Sequence, residues 1–195
     1  CERRRLVEKM AAECLSAGVR WIVSQSEDTA LGDLRNIGLR EARGELIIQW
    51  DDDDWYHPQR IELQVQALIE TKSDICCLER WRLAWPARSL YVVSKRRAWE
   101  GSMLAVKARL PCYPSMRRGE DTVFFDRCRS AGLKVHLLDR PELYVYVVHG
   151  QNTYPEEHFE KHIFNEDTGV LTPAEAAEVK KRLEIEVPLA VNEGM

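Results

Sequence analysis

The chain of 195 residues lacks the marks of several classes of protein. No apolar segment approaches the roughly 20 residues that are needed to cross a bilayer, and no secretory signal segment is present. The net charge is −4, with acidic and basic residues interspersed, so no basic patch points to a nucleic-acid partner. We therefore expect a cytoplasmic protein, with contact at a membrane surface left open.

The cysteines lack the spacing of a disulfide framework or of a structural zinc site. The six cysteines are Cys1, Cys14, Cys76, Cys77, Cys112 and Cys128. No two of them form a CxxC pair, and the adjacent Cys76 and Cys77 resemble small apolar residues of a strand. The pattern predicts free thiols in a reducing compartment.

The apolar patterns that are present predict an α/β fold. In chain order they predict a helix at 6–15, a strand at 19–23, a helix at 31–42, a strand at 45–48 and a helix after Pro58. Helices that alternate with strands are typical of a parallel sheet with crossover helices. A leading strand before Arg3 would complete this order, so we expect that a segment has been lost upstream.

The second half of the chain has a different pattern. Its apolar runs predict strands at 74–85, 89–94, 102–106, 135–138 and 143–148, and a helix at 120–131. Thr172 and Glu175 have the spacing of a capping box that opens an amphipathic helix to about Leu183. We expect one domain over residues 1–153 and a short helical C-terminal extension over residues 154–195.

Four consecutive aspartates, Asp51 to Asp54, are the most informative feature. They follow the predicted strand 45–48, and ligands of open α/β sheets bind beyond the carboxyl ends of strands. Because four carboxylates repel one another, a hard divalent cation such as Mg²⁺ or Mn²⁺ would stabilise them. The alternative is a solvated acidic turn that ends the strand and caps the next helix.

Two further segments carry polar groups at the ends of predicted elements. Glu120 and Asp121 open a predicted helix, and His149 ends a predicted strand. Each has a structural alternative, because acidic residues also stabilise the positive end of a helix dipole and a histidine at a strand end is often only hydrogen-bonded. Together with the aspartates they suit one task, a metal site that holds a diphosphate with a carboxylate base nearby.

These segments resemble the glycosyltransferases of family 2, which have the GT-A fold. The resemblance rests on residues 34–38, 42–45, 51–55 with Pro58, 118–121 with Phe124, and 148–152. Their order and spacing match the family up to about residue 153. The resemblance implies a GT-A (Rossmann-like) mixed sheet flanked by helices. It also implies transfer of a sugar, with inversion, from a nucleotide-diphosphate sugar to the hydroxyl of a saccharide or another acceptor.

The resemblance implies roles for the acidic residues and the histidine. Asp53 resembles the carboxylate of the family's DxD motif that binds the cation, with Asp51 near the ribose and the metal. His149 resembles a late histidine that some members use at the metal or the diphosphate. Asp121 resembles the general base, and Glu120, its neighbour in the acceptor pocket, is the second expected catalytic residue.

The resemblance also implies residues that contact the two substrates. The expected nucleotide-binding residues are Arg35, Asn36, Asp51 and Asp52. The expected sugar and acceptor pocket contains Trp99, Gly101 and Ser102. Each set has a structural alternative, since Arg35 could be a solvated helix residue and Trp99 a core residue.

Two features depart from the family pattern. The family's first strand usually ends in a Pro-Thr loop that contacts the base, and we expect this chain to begin just after it. The second strand usually ends in aspartates, whereas here Ile22-Val23 leads to Ser24-Gln25-Ser26, with acids only at Glu27 and Asp28. The donor nucleotide is therefore left open. Two alternative functions are a nucleotidyltransferase and a degenerate nucleotide-sugar-binding module.

Overall fold

The structure is a computed structural model that describes Lys9, residues 18–20, Ile22, residues 29–164 and residues 168–186. The predicted helix at 6–15 lies outside the described residues except for Lys9. Of the predicted strand at 19–23, Val19, Arg20 and Ile22 are described and do not belong to a strand. The predicted mixed α/β class is confirmed, but the described strands form two sheets and not one.

The elements are numbered in chain order. The helices are α1 (Leu31–Glu41), α2 (Arg60–Thr71), α3 (Glu120–Ser130), α4 (Glu156–His158, continued as a π-helix over Phe159–Ile163) and α5 (Pro173–Glu186). The strands are β1 (Leu46–Ile48), β2 (Trp55–Tyr56), β3 (Ile75–Leu78), β4 (Arg82–Trp85), β5 (Leu90–Val93), β6 (Trp99–Val106), β7 (Val135–Leu138), β8 (Tyr144–Val147) and β9 (Gly169–Val170). Short 3₁₀ turns span Pro86–Arg88, Lys107–Arg109 and Pro141–Leu143. None of these described helices is long and apolar enough to cross a membrane.

The first sheet places the carboxyl ends of three strands at one edge. Its order is β1-β6-β3-β7, in which β6 is antiparallel to β1 and to β3, and β3 is parallel to β7. Strands β1, β3 and β7 therefore run in one direction, and their carboxyl ends share an edge. The aspartates follow β1 at this edge, where α/β sheets bind their ligands.

The second sheet has the order β2-β8-β4-β5-β9, with β4 and β8 parallel and the other pairs antiparallel. The prediction of one strand at 74–85 is wrong, because the chain leaves the first sheet after Leu78 and enters the second sheet at Arg82. The second sheet carries β8, and His149 follows shortly after the end of that strand. The two sheets thus bring together the aspartates and the histidine, which come from different parts of the chain.

Helix α1 lies close to the segment before α3 because its second residue is a glycine. A Cβ at Gly32 would collide with the carbonyl oxygen of Pro114. The Asn36 amide donates to the Tyr113 carbonyl oxygen at 3.0 Å and accepts the Tyr113 N–H at 2.8 Å. These contacts fix α1, which carries Arg35, beside the start of α3.

Helix α3 packs its apolar face on the first sheet. Phe124, Phe125 and Cys128 are buried in one cluster with Ile75 of β3. Gly119 precedes the helix with a φ of 69°, a left-handed conformation that glycine adopts without strain. This turn sets the point at which the helix begins and therefore the position of its first two acidic residues.

The described part of the C-terminal extension shares a core with the second sheet. Leu171 and Val179 are buried in one cluster with Trp55 of β2. The predicted capping box is present, since Glu175 Oε2 accepts the Thr172 N–H at 2.9 Å and the Glu175 N–H donates to Thr172 Oγ1 at 3.3 Å. Helix α5 therefore packs on the second sheet.

Candidate functional site

The acidic loop, residues 50–54, is a turn between β1 and β2 that Tyr56 closes. The Asp51 N–H donates to the Tyr56 hydroxyl at 2.9 Å. The Trp50 ring packs on the Tyr56 ring, with their centroids 4.0 Å apart. These contacts hold the loop at the carboxyl edge of the first sheet, with the Asp51 carboxylate toward Arg35 of α1.

Arg35 joins the two acidic segments that the sequence singles out. Its Nη2 lies 3.5 Å from Asp51 Oδ1, and its Nε donates to Glu120 Oε1 at 2.8 Å. Glu120 is only 2% exposed, so its charge requires such a partner. Burial raises the pKa of Asp51 and Arg35 opposes the rise. The negative charges of Asp53 and Asp121 raise the pKa of Asp51 further, so the two acidic segments lie close to each other.

Asp53 and His149 form a second contact between distant segments. His149 Nε2 lies 3.0 Å from Asp53 Oδ2. The Gln151 N–H donates to His149 Nδ1 at 3.3 Å, so a neutral ring carries its proton on Nε2 and donates it to Asp53. The segment after β8 is thereby tied to the acidic loop.

The remaining aspartates and Asn36 make different contacts. Asp54 is buried, and it accepts the Tyr144 O–H at 2.6 Å and the Val147 N–H at 2.8 Å. Burial raises the pKa of Asp54 well above its usual range, although both hydrogen bonds oppose this rise. Asp52 is exposed in the turn. Asn36 uses its amide on the backbone before α3, so the structure gives this side chain a structural contact in place of the expected nucleotide contact.

The residues expected to form a sugar and acceptor pocket lie inside the fold. Trp99 is 3% exposed, and its ring stacks on Trp81 with centroids 4.3 Å apart. The Ser102 hydroxyl is buried and donates to the Trp99 carbonyl oxygen at 2.6 Å. A Cβ at Gly101 would lie 3.6 Å from the Trp81 ring. The pocket prediction is therefore corrected: these side chains belong to the core because β6 is covered on this face.

Tyr154 and Arg118 lie beside the predicted base, and neither was given a role from the sequence, although Arg118 belongs to the segment 118–121. The Tyr154 hydroxyl lies 3.7 Å from the position of a Cβ on Gly119. The Arg118 guanidinium lies 5.8 Å from the Tyr154 ring centroid. Burial raises the pKa of Tyr154, and the negative charge of Asp121 adds to the rise. A signal was present, because Tyr154 follows shortly after the segment 148–152.

The acidic loop offers part of the coordination that a divalent cation needs. Among the described residues, no three His, Cys, Asp or Glu side chains already surround one position. Asp53 and His149 do meet, with the Asp51 carboxylate nearby. Mg²⁺ is usually held by one or two carboxylates with substrate phosphates and water, so this donor set fits. His149 can bind the cation through Nε2 only after the ring proton moves to Nδ1, because a metal binds an unprotonated ring nitrogen.

A mixed α/β fold with an acidic loop at the carboxyl edge of its sheet has the GT-A arrangement. The sequence profile named "Glycosyl transferase family 2" matches residues 4–140. The chain belongs to this family, and the resemblance found in the sequence is confirmed. Among curated proteins, none matches the chain significantly.

Solved structures of S. aureus TarS are similar to this chain. The structure of TarS 1–349 in complex with UDP-GlcNAc is 17% identical, with a TM-score of 0.60, and the match covers 95% of this chain and 61% of that chain. The complex of TarS 1–349 with UDP is 16% identical, with a TM-score of 0.56, covering 91% of this chain and 59% of that one. The chain spans about three fifths of the length of these TarS chains. The similarity shows a shared fold.

Proposed function

We propose that this protein transfers a sugar from a nucleotide-diphosphate sugar to an acceptor hydroxyl, with inversion at the anomeric carbon and with the help of a divalent cation. The observation that carries the proposal is the meeting of Asp51 and Glu120 at Arg35, with Asp121 beside them. Membership of family 2 supports it. The TarS structures, which contain UDP and UDP-GlcNAc, support a nucleotide-sugar donor.

On the donor side, Asp53 and His149 would hold Mg²⁺ or Mn²⁺, with Asp51 beside them. When bound, such a cation neutralises charge that develops on the leaving diphosphate. Arg35 carries a planar guanidinium that suits phosphate and carboxylate oxygens. Because Arg35 is already paired with Asp51 and Glu120, donor oxygens would share or replace the longer of these two contacts, that with Asp51.

On the acceptor side, Asp121 would take the proton. The acceptor oxygen forms a bond to the anomeric carbon while the bond from that carbon to the diphosphate oxygen breaks, and the hydroxyl proton passes to the Asp121 carboxylate. Attack opposite the leaving group inverts the anomeric configuration. Glu120 was predicted beside Asp121 as a catalytic residue, but its burial against Arg35 suits a positioning role.

Tyr154 and Arg118 would form the acceptor surface that the buried Trp99 does not provide. Both lie at the turn into α3, beside Asp121. A phenol hydroxyl and a guanidinium offer hydrogen-bond donors to the hydroxyls of a saccharide. The described start of the C-terminal extension therefore contributes to this side of the proposed site.

Product analysis tests the proposal. The protein would be incubated with a panel of nucleotide sugars and saccharide acceptors in the presence of Mn²⁺. The expected products are a nucleoside diphosphate and a glycosylated acceptor in equal amounts. Release of pyrophosphate would instead indicate a nucleotidyltransferase, and donor binding without any product would indicate a binding module. Either result contradicts the proposal.

A further inference from the structure

Arg60 is a buried cation in an unfavourable position. It is the first residue of α2 and is 0% exposed. A positive charge at a helix N-terminus opposes the helix dipole, and a buried charge is costly unless it is paired. No described carboxylate forms an ion pair with Arg60. Its hydrogen bonds go to neutral oxygens, Oε1 of Gln64 at 3.0 Å and the Gln49 carbonyl at 3.1 Å.

Three aromatic rings surround the Arg60 guanidinium. Its central carbon lies 4.4 Å from the ring centroid of Tyr56, and 5.1 Å from those of Trp50 and Tyr144. The faces of aromatic rings attract cations at these distances. Arg60 Nη1 has no hydrogen-bond partner in the described structure, so the rings provide much of the surroundings of this charge. We call Arg60 with these three rings the arginine cage.

Each ring of the arginine cage either belongs to the acidic loop or contacts it. The Tyr56 hydroxyl accepts the Asp51 N–H at 2.9 Å. The Tyr144 hydroxyl donates to Asp54 at 2.6 Å. Trp50 directly precedes Asp51 and packs on Tyr56. The cage therefore holds the acidic loop at both of its ends.

We infer that Arg60 is a positioning residue for the proposed donor site, which it serves by holding the acidic loop in one conformation. This inference rests on the proposed function. An apolar residue could fill the same space, but it would neither hold the Gln49 carbonyl oxygen nor attract three ring faces together. The Arg60 cation also attracts the Asp51 carboxylate, which favours the position of the loop. Burial of Arg60 is unfavourable for folding, but it fixes the geometry of Asp51.

A comparison of stability with donor affinity tests the inference. The variant is Arg60→Met, and the probe is the panel nucleotide sugar that the unmodified protein binds most tightly with Mn²⁺. We expect the dissociation constant to rise about tenfold, because a misplaced contact group weakens binding. We expect the melting temperature to fall only slightly, because methionine fills the space and removes a buried charge, which offsets the loss of the hydrogen bonds to the Gln49 carbonyl and Gln64 Oε1. Replacement of a residue that only supports the core would lower the melting temperature strongly and leave the dissociation constant unchanged.

The matched control is Arg82→Met. Arg82 is also a buried arginine, but it lies in the second sheet against Glu175 and Glu178 of α5. Its replacement is expected to leave donor affinity unchanged. Equal donor affinity in Arg60→Met and the unmodified protein would overturn the inference and leave the proposed function intact. Failure of the unmodified protein to bind any nucleotide sugar would overturn the proposed function and the inference with it.

A second variant decides the question if Arg60→Met does not fold. Tyr56→Phe keeps the ring over Arg60 and removes only the hydroxyl that accepts the Asp51 N–H. We expect it to fold and to bind the donor several-fold more weakly, because one loop hydrogen bond is lost. Unchanged donor affinity in Tyr56→Phe would show that the cage does not act through Asp51 and would overturn the inference.

Discussion

At the scale of single residues, Asp121 and Asp126 provide a matched pair. Both lie on α3, but Asp126 is exposed whereas Asp121 lies near Asp51. For Asp121→Asn we expect the transfer rate to fall by about 10²–10⁴-fold, since the loss of a general base has this effect. Donor affinity should be nearly unchanged, because the base contacts the acceptor. Steady-state rates and donor titration would measure both quantities.

Asp126→Asn is the control for this experiment and should leave both quantities unchanged. A loss of donor affinity in Asp121→Asn as large as the loss of rate would contradict the assignment and indicate a structural role for Asp121.

Asp53 and His149 differ in how readily they fit a cation. The Asp53 carboxylate can bind it directly, whereas His149 must first move its proton to Nδ1 and lose the Gln151 contact. We therefore expect Asp53→Asn to weaken Mn²⁺-dependent donor binding more than His149→Ala does. Titration with Mn²⁺ at a fixed nucleotide-sugar concentration would measure this. A larger effect of His149→Ala would contradict the proposed coordination.

Single residues of the candidate site were recognisable in the sequence where a local motif marks their position. The aspartates and the acidic pair at residues 120–121 are recognisable because they follow a strand or open a helix. Trp99 could not be assigned in this way, since a tryptophan at a strand end looks the same in a pocket and in a core. Arg60 gave no signal, because an arginine near a helix start is usually exposed.

At the scale of elements, Arg35 couples α1 to α3. For Arg35→Met we expect a loss of about 3–5 kcal/mol in the free energy of unfolding, because Glu120 is left buried without a partner. The double variant with Glu120→Gln should recover much of this stability but not the donor affinity. Urea unfolding and donor titration would measure the two effects.

Arg40→Met is the control on the same helix, since Arg40 is exposed, and it should change neither quantity. If the double variant were no more stable than Arg35→Met alone, the ion pair would not be the cause of the loss.

Element boundaries were predictable where glycine or a cap marks them. The predicted helices at 31–42 and 120–131 agree with α1 and α3 to within a residue at each end, because Gly44, Gly119 and Gly132 punctuate them. The predicted strand at 74–85 failed because residues 79–81 contain neither glycine nor proline. The break there is caused by long-range pairing, since β3 joins the first sheet and β4 joins the second.

At the scale of the whole molecule, buried thiols should make stability depend on alkaline pH. Burial raises the pKa of Cys76 and of Cys128 from 9.0 to about 11. The folded state thus holds these protons more tightly than the unfolded state, so the stabilisation is complete below pH 9 and is lost as the pH rises toward 11. We expect the free energy of unfolding to fall over this range, measured by denaturant titration at each pH.

The control for this pH dependence is a pair of cysteine variants. Cys128→Ala should flatten the alkaline fall, whereas Cys112→Ala should not, because Cys112 is exposed. If the free energy of unfolding fell equally steeply in Cys128→Ala, the effect would belong to other buried groups, such as Tyr113. The pKa of Tyr113 is also raised by burial.

The α/β class and the family could be predicted from local patterns and from the order of short motifs along the chain. The division into two sheets could not, because it depends on which strands pair across more than 60 residues, as β2 does with β8. The shared core of α5 and the second sheet is a consequence of the same pairing. Local periodicity shows that these segments are amphipathic but not which surface they cover.

A crystal structure of the protein with Mn²⁺ and a bound nucleotide sugar would test the central claim most directly. The proposal predicts an anomalous manganese signal at the Asp53 carboxylate, with the diphosphate on the ion. It also predicts that the anomeric carbon lies between the diphosphate and Asp121. A manganese ion and nucleotide bound on any other face, with Asp121 remote from the sugar, would contradict the account.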